Sequence, residues 1–267
     1  APIVRITDIA FGGKGVARAE GKVVFVPFVI PGEVAMVRLT KQKKKFAEAE
    51  LISVVELAPD RVEAPCPYFR TCGGCAYQHI RYEKQLEIKA IQVEQTLRRV
   101  GKFETIPMQP IIPSPLPYEY RNRIRVHRAG PVTGFYTFDG QTIVDVERCL
   151  LAEAIVNEQL ARLRNSRAPE GDYSLRAPGG SGPFFEQVNR TMAKEMVGLV
   201  QKSVAPNRAL IVDAYSGGGF FAHSLAAQAD RVVGIAQGKV VFDGKPHELT
   251  ELILDRIYRF DQEMPVI

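Results

Sequence analysis

The sequence predicts a multidomain chain of mixed α+β and α/β class, with an OB-type β-barrel, a central α+β domain and a truncated Rossmann-like sheet. The length of 267 residues exceeds what a single small core usually organises. Changes in residue pattern place the barrel at 1–59, the central domain at 60–175, the Rossmann-like part at 176–236 and a separate tail at 237–267.

The first 59 residues have the pattern of a small all-β domain. Short apolar-rich runs cover residues 4–9, 22–29, 33–40 and 48–55. Gly-rich or Pro-Gly turns such as FGGKG and IPGE separate these runs. Four or five short strands with such turns are typical of an OB-type barrel.

The central segment is predicted to contain one long helix after residue 81. Gly101 is a suitable stop for this helix. Six apolar side chains recur at helical spacing and predict this helix: Tyr82, Leu86, Ala90, Val93, Leu97 and Val100.

Two groups of basic residues are candidates for contact with nucleic acid, and the net charge of +5 permits such binding. One group stands in the predicted loop between two barrel strands, and the other alternates along a predicted strand: Lys43, Lys44 and Lys45, then Arg121, Arg123 and Arg125. Period-two spacing places the three guanidinium groups on one face of the strand. A solvated loop and a surface salt-bridge ladder are equally open explanations.

The four cysteines form the most informative pattern in the chain. Cys66, Cys72 and Cys75 lie in CPYFRTCGGC, and Cys149 stands alone far downstream. A [4Fe–4S] cluster needs four thiolates and commonly takes three of them from one loop. Zinc, which usually uses two C-x2-C pairs, and structural or disulfide-bonded thiols remain open alternatives. If all four thiols hold a metal, none is left to act as a nucleophile.

Residues 176–236 predict a helix followed by the opening of a doubly wound sheet. ALIVDAYSGGGFFAHSLA indicates a buried strand, a glycine loop and a helix, and DRVVGIA indicates a second parallel strand. The loop contains neither the full dinucleotide fingerprint nor the Gly-Lys-Ser/Thr of a P-loop. The helix before it is predicted to bury Met192, Met196, Leu199 and Val200.

Two features of the sequence concern the expected location of the protein in the cell. APIVRITDIA lacks the charged and apolar regions of a signal peptide. No uncharged run of about 18 apolar residues occurs, so no membrane-spanning helix is expected. A cytoplasmic monomer is the expectation.

Several motifs stand in the order found in the RNA (uracil-5-)-methyltransferases that carry a TRAM domain and an iron–sulfur cluster, notably those acting on 23S ribosomal RNA. FGGKGVAR and GKVVFVPFVIPGEV resemble the TRAM barrel of that family. CPYFRTCGGC together with Cys149 resembles the family's [4Fe–4S] ligands, and YRNR and GFY resemble its central domain. The chain thus resembles this family over about residues 2–235.

The resemblance implies S-adenosylmethionine as cofactor and RNA as partner, with ribosomal RNA favoured over tRNA. FFEQVN resembles a family signature whose glutamine, here Gln187, contacts the cofactor. VDAYSGGG resembles the cofactor loop, with Asp213, Tyr215, Gly217 and Gly219 in register. The implied reaction is methylation of uridine at C5 after a cysteine thiolate adds at C6.

The sequence also departs from the family pattern. Ala236 stands where an acidic residue would hold the ribose hydroxyls, and Ser216 and Phe220 replace the usual loop residues. The D-P-P-R motif, the S-C-N-P nucleophile and the glutamate base do not occur, so no catalytic residue is assigned. We therefore expect weak cofactor binding and no turnover. The alternative is an RNA-binding TRAM and iron–sulfur module without catalysis.

The last part of the chain resembles a different family. ADRVVGIAQGKVVFDGKPHELTELILDRIY is similar to the end of phosphonate-type ABC transporter ATPases, which close with a hairpin and a helix. The junction between the two resemblances is expected near residues 229–238. A gene rearrangement and a sequence-assembly join would both produce such a fusion. ATP hydrolysis of the ABC type is a third functional hypothesis, opposed by the missing P-loop.

Overall fold

A computed structural model of the chain describes residues 1–178, 187–204, 211, 220–225, 228–236, 239–248, 250 and 253. Contacts divide the chain into two compact units. The first unit comprises Ala1–Pro117, Arg125–Leu150 and Asn157–Leu175. The second comprises Tyr118–Ile124, Leu151–Val156 and the described residues of Arg176–Ile267. The four domain ranges predicted from the sequence remain a prediction.

The first unit begins with a closed five-stranded barrel. Its strands are β1 (Ile3–Ile9), β2 (Gly15–Ala19), β3 (Lys22–Val26), β4 (Val34–Gln42) and β5 (Phe46–Glu56). They pair in the order β1-β2-β3-β5-β4, and β4 returns to β1 to close the barrel. The predicted N-terminal barrel is confirmed. Strand β2 was not among the runs predicted from the sequence, because it has only five residues and begins at the last glycine of the FGGKG turn.

The barrel core follows from the alternation of side chains along each strand. In β1, Val4 and Ile6 point inward and are almost fully buried, whereas Ile3 and Arg5 are exposed. Small and β-branched residues from the other strands complete the core, among them Ala17, Val24, Val26, Ala35 and Val37.

Helix α1 (Tyr82–Arg99) contacts the barrel through residues that lie outside the apolar repeat of its sequence. Ile88 and Gln92 are its buried residues, whereas Val93 is 50% exposed. The Gln92 amide donates to the backbone carbonyls of Ile9 (3.3 Å) and Ala10 (3.0 Å) at the end of β1. The predicted helix is confirmed, and most residues of its apolar repeat are half-buried, but apolar spacing does not reveal that a polar side chain satisfies buried carbonyls on the barrel side.

A four-stranded sheet follows in the order β8-β7-β6-β9. Its elements are β6 (Arg123–Ala129), β7 (Val132–Tyr136), β8 (Ile143–Asp145) and β9 (Gly171–Arg176), with α2 (Ala154–Arg164) between β8 and β9. The predicted alternation along β6 is confirmed, since Ile124 and Val126 are buried and the intervening arginines are not.

The second unit contains α3 (Arg190–Ser203), α4 (Phe220–Leu225), β10 (Val232–Ala236) and β11 (Lys239–Gly244). In α3, Met192 and Val200 are half-buried, but Met196 is 37% and Leu199 46% exposed, so the predicted inward set was half wrong. Ala193 is the buried residue of α3 instead.

Strand β10 pairs with β11 in an antiparallel hairpin across the expected junction. The ion pair between Arg231 and Asp243 (2.5 Å) links the two sides of this hairpin. The sequence predicted β10 as the second strand of a parallel pair. The strand that was predicted to precede it lies largely outside the described residues.

Candidate functional site

The first three cysteines lie in a tightly turned loop that precedes α1. The backbone N–H of Phe69 donates to the carbonyl of Cys66 (3.0 Å), and the N–H of Cys72 donates to the carbonyl of Tyr68 (2.8 Å). Consecutive turns of this kind curl the chain, and they leave the thiols of Cys66, Cys72 and Cys75 half-buried.

The loop is anchored against the end of β7. The N–H of Gly73 donates to the carbonyl of Tyr136 (2.9 Å), and the N–H of Phe138 donates to the carbonyl of Thr71 (3.0 Å). A Cβ atom at Gly73 would lie 2.9 Å from the carbonyl oxygen of Thr137. Glycine is therefore required here because two backbone segments approach each other closely.

Cys149 is held by α2, and the chain just before it contacts the cysteine loop. Its N–H donates to Oδ1 of Asn157 in α2 (2.8 Å), and Nδ2 of Asn157 donates back to the carbonyl of Cys149 (3.0 Å). Two residues earlier, the N–H of Glu147 donates to the hydroxyl of Tyr68 in the cysteine loop (3.2 Å). The bond to Tyr68 attaches the segment before Cys149 to the loop that carries the other three cysteines.

The thiols influence one another electrostatically. Burial raises the pKa of Cys75 to about 11, and the charges of Cys149, Cys72 and Cys66 act in the same direction. Burial also raises the pKa of Cys72, with contributions of the same sign from Cys149 and Cys66.

The four thiols are suitable donors for a metal, but in this structure they are not arranged around a common point. In the part of the chain that the structure describes, no three His, Cys, Asp or Glu side chains surround a common point. Four sulfurs in one unit match the donors of a [4Fe–4S] cluster and those of a zinc site built from four cysteines alike. The N–H of Gly74 already donates to Sγ of Cys72 (3.4 Å), the type of hydrogen bond that stabilises cluster thiolates.

The structure places the three lysines where the sequence predicted them, in the turn between β4 and β5. Lys43, Lys44 and Lys45 are exposed, and within the described residues none of them forms an ion pair. The N–H of Lys43 donates to the carbonyl of Phe46 (2.8 Å), which closes the turn.

The three arginines do not form one exposed row. Arg125 is exposed, but it donates to Asp172 (2.5 Å), which also bonds with His127 (2.5 Å). Arg123 is half-buried, and Nε of Arg121 is buried without a hydrogen-bond partner in the described residues. The salt-bridge explanation therefore applies to Arg125.

Of the predicted cofactor residues, the structure describes Gln187. Its carbonyl accepts a hydrogen bond from the Asn122 side chain (3.0 Å). Phe220 begins α4, and its ring packs edge-on against Phe221 with 4.9 Å between centroids. The remaining predicted cofactor residues lie outside the described residues: Asp213, Tyr215, Gly217 and Gly219.

Sequence patterns missed two residues beside the cysteine loop. His79 is buried among aromatic rings, and Arg70 projects from the loop itself. Neither occurs in a recognisable spacing, so no sequence signal separates them from ordinary core and surface residues.

Among the described helices, none is long and apolar enough to cross a membrane.

The chain is similar to a domain family and to proteins named as RNA methyltransferases. Residues 3–52 match the TRAM domain model. A protein of Bdellovibrio bacteriovorus named an uncharacterized RNA methyltransferase is 34% identical over 253 residues, covering 87% of this chain and 64% of that protein. One of the same description from Aquifex aeolicus is 39% identical over 159 residues, covering 60% of this chain and 37% of that protein.

A solved structure shares the fold. It is the Pyrococcus abyssi tRNA (uracil-54, C5)-methyltransferase in complex with S-adenosyl-L-homocysteine, with a TM-score of 0.56 and 22% identity, covering 84% of this chain and 70% of that one. The chain spans between about a third and two thirds of the length of its curated relatives. It therefore carries an N-terminal TRAM domain and is homologous to proteins named as RNA methyltransferases.

Proposed function

We propose that this chain is the RNA-binding, iron–sulfur part of an RNA (uracil-5-)-methyltransferase, with ribosomal RNA as the preferred substrate class and tRNA as the second. The observation that carries the proposal is the TRAM barrel, whose loop presents three lysines without ion-pair partners in the described residues. Unpaired lysines on an exposed turn suit phosphate oxygens, which supply most of the affinity in nonspecific RNA binding.

RNA binding is tested by fluorescence anisotropy with a labelled single-stranded oligoribonucleotide over a salt series. We expect binding that weakens linearly on a log–log plot as salt increases. Competition with ribosomal RNA and tRNA transcripts then ranks the two substrate classes. Absence of binding at low salt contradicts the proposal.

We further propose that Cys66, Cys72, Cys75 and Cys149 together hold one [4Fe–4S] cluster. Because the pKa of Cys75 is about 11 without a metal, its thiol is neutral near pH 7 and must lose its proton on metal binding. When bound, the cluster would supply a covalent link between the loop and the Cys149 segment. Anaerobically purified protein should carry about four irons per chain, and Cys149→Ser should lose most of them. Stoichiometric zinc without iron contradicts this assignment.

S-adenosylmethionine is the proposed methyl donor, through Gln187 and the loop residues Asp213, Tyr215, Gly217 and Gly219. Support comes from the sequence resemblance and from the S-adenosyl-L-homocysteine in the Pyrococcus structure. Ala236 offers no carboxylate to the ribose, and hydrogen bonds to a charged group contribute about 1.5–3 kcal/mol each. We therefore expect calorimetric titration to show affinity weaker than micromolar, and a tight one-to-one isotherm would contradict this expectation.

The second candidate function is an RNA-binding module that does not use the cofactor. It is favoured by a property of the sequence: with all four cysteines as cluster ligands, no thiol is left to add to C6 of uracil. RNA binding without measurable cofactor binding would support the module. Binding of both would support a methyltransferase part whose nucleophile comes from elsewhere.

A further inference from the structure

A groove in the first unit runs beside the cysteine loop. Its walls come from Pro27 and Phe28 after β3, from Arg70 in the loop, and from Phe138 and Asp139 after β7. It encloses about 390 Å³, which is within the range of about 300–1,000 Å³ typical of small-ligand sites.

Two aromatic rings, Phe28 and Phe138, line the groove, and two more pack behind Phe28. The ring of Phe28 lies 5.0 Å from that of Phe138 and 5.3 Å from that of Phe69, and His79 packs 5.5 Å from Phe69. Phe28 is 8% exposed, whereas Phe138 is 37% exposed. Phe138 is thus an accessible ring that packs against a buried one.

Arg70 supplies a positive charge next to these rings. Its guanidinium lies 5.8 Å from the centroid of the Phe28 ring, and the side chain is exposed. No ion pair of Arg70 occurs among the residues that the structure describes. The guanidinium is therefore available to an anion from outside the chain.

Two carboxylates also face the groove, and both have partners. Glu50 accepts from Arg38 (2.6 Å). Asp139 accepts from the hydroxyl of Thr137 (2.6 Å) and from the N–H of Gln141 (3.1 Å). Arg38 thus offsets the charge of Glu50, whereas Asp139 is bound by neutral donors, so Arg70 and Asp139 are the charges of the groove without an ion-pair partner in the described residues.

The backbone conformation at the groove is unusual. Phe28 has φ of +63° and Arg70 has φ of +76°, both in the left-handed region that favours glycine. A large aromatic and a long charged residue are kept where glycine would be less strained. Such residues cluster at binding sites, where the surrounding structure compensates for the strain.

We propose that this groove binds an unpaired RNA nucleobase, stacked on Phe138, with an adjacent phosphate on Arg70. The inference deepens the proposed RNA-binding function and rests on it. Every base has a flat π-face that stacks on an exposed aromatic ring, and guanidinium is the preferred partner of phosphate. An exposed ring beside an available guanidinium matches a base and its phosphate together.

Two variants and two matched controls test the site by anisotropy with a single-stranded oligoribonucleotide. Phe138→Leu should weaken binding about 5- to 150-fold, the range for loss of one stacked base, without changing the salt slope. Arg70→Gln should weaken binding and reduce the slope by about one. Phe11→Leu and Arg18→Gln remove an exposed ring and an exposed charge outside the groove, and both should bind like the wild type.

Photo-crosslinking of the unaltered protein provides a test that no folding defect can affect. An oligoribonucleotide containing 4-thiouridine should crosslink to the peptide that includes Phe138 or to the one that includes Arg70. The groove proposal is overturned if the wild type binds RNA, Phe138→Leu binds equally well and all crosslinks lie elsewhere. The proposed RNA-binding function would then still stand. Failure of the wild type to bind RNA overturns both.

Discussion

The surroundings of His79 in the first unit shift the pKa of its imidazole. The imidazole is 3% exposed, and neither ring nitrogen makes a hydrogen bond of normal geometry in the described residues. Burial is the main cause that lowers its pKa to about 4, and the charges of Arg61 and Arg70 act in the same direction. The backbone of Val29 and the carboxylate of Glu33 partly oppose this shift.

We predict that His79 stays neutral at every pH above about 5. In the unfolded chain its pKa is about 6.5, so the neutral ring contributes stability that is fully present above that pH. This contribution, on the order of 3 kcal/mol, is lost as the pH falls from about 6.5 through 4. NMR titration of histidine carbons checks the pKa, with His79→Phe for assignment, and titration near 6.5 would contradict it.

For single residues, the sequence predicted those whose role follows from their spacing along the chain. It did not predict those whose role follows from their packing in the fold. The C-x5-C-x2-C pattern identifies Cys66, Cys72 and Cys75 as candidates without any structure. His79 and Arg70 become informative only through their surroundings, which are buried rings and a left-handed backbone. No local pattern encodes those surroundings.

Among the elements, the barrel is joined to the segment after β5 by a buried ion pair. Glu33 is fully buried, and its carboxylate accepts from Nε (2.5 Å) and Nη2 (2.8 Å) of Arg61 and from the N–H of Ile30 (3.0 Å). Arg61 also donates to the carbonyl of Phe28 (2.8 Å). Every oxygen of the carboxylate is therefore paired, as a buried charge requires.

Arg61→Met should destabilise the fold by about 3–5 kcal/mol, because it leaves the Glu33 carboxylate buried without its partner. The matched control is Arg38→Met, which breaks an exposed Arg–Glu pair with Glu50 and should change stability by less than about 1 kcal/mol. Urea unfolding measures both changes. Equal effects of the two substitutions would show that the buried pair has no special role.

Replacing Lys43, Lys44 and Lys45 together by alanine should weaken RNA binding and reduce the salt slope by roughly one unit for each phosphate that the turn no longer binds. The control replaces the same three residues by arginine, which keeps the charge and should keep the slope. An unchanged slope in the alanine variant would assign the turn to a solvated charged loop. Anisotropy over a salt series is the measurement.

For the elements, the sequence predicted strands better than helix faces. Along β1 and β6, alternation of apolar and polar residues identifies strand and inward face together. The inward face of α1 was missed because Gln92 is buried to satisfy the carbonyls of Ile9 and Ala10. A buried amide interrupts the apolar pattern from which a helix face is predicted.

In the molecule as a whole, the first unit contains the TRAM barrel, all four cysteines and the aromatic groove. Sequence order alone predicted the barrel and the cysteine loop. The attachment of the Cys149 segment to that loop depends on the bond between Glu147 and Tyr68, which connects residues 79 positions apart in the chain. Tertiary hydrogen bonds of this kind are not recoverable from residue spacing.

Native mass spectrometry of the anaerobically purified chain, mixed with a single-stranded oligoribonucleotide, tests the proposed iron–sulfur and RNA-binding roles together. One spectrum reports both whether the chain carries a [4Fe–4S] cluster and whether the same molecule binds RNA. We expect a dominant ion with the mass of one chain, one [4Fe–4S] cluster and one RNA. A chain that carries zinc, or a cluster-loaded chain that retains no RNA at low salt, would contradict this assignment.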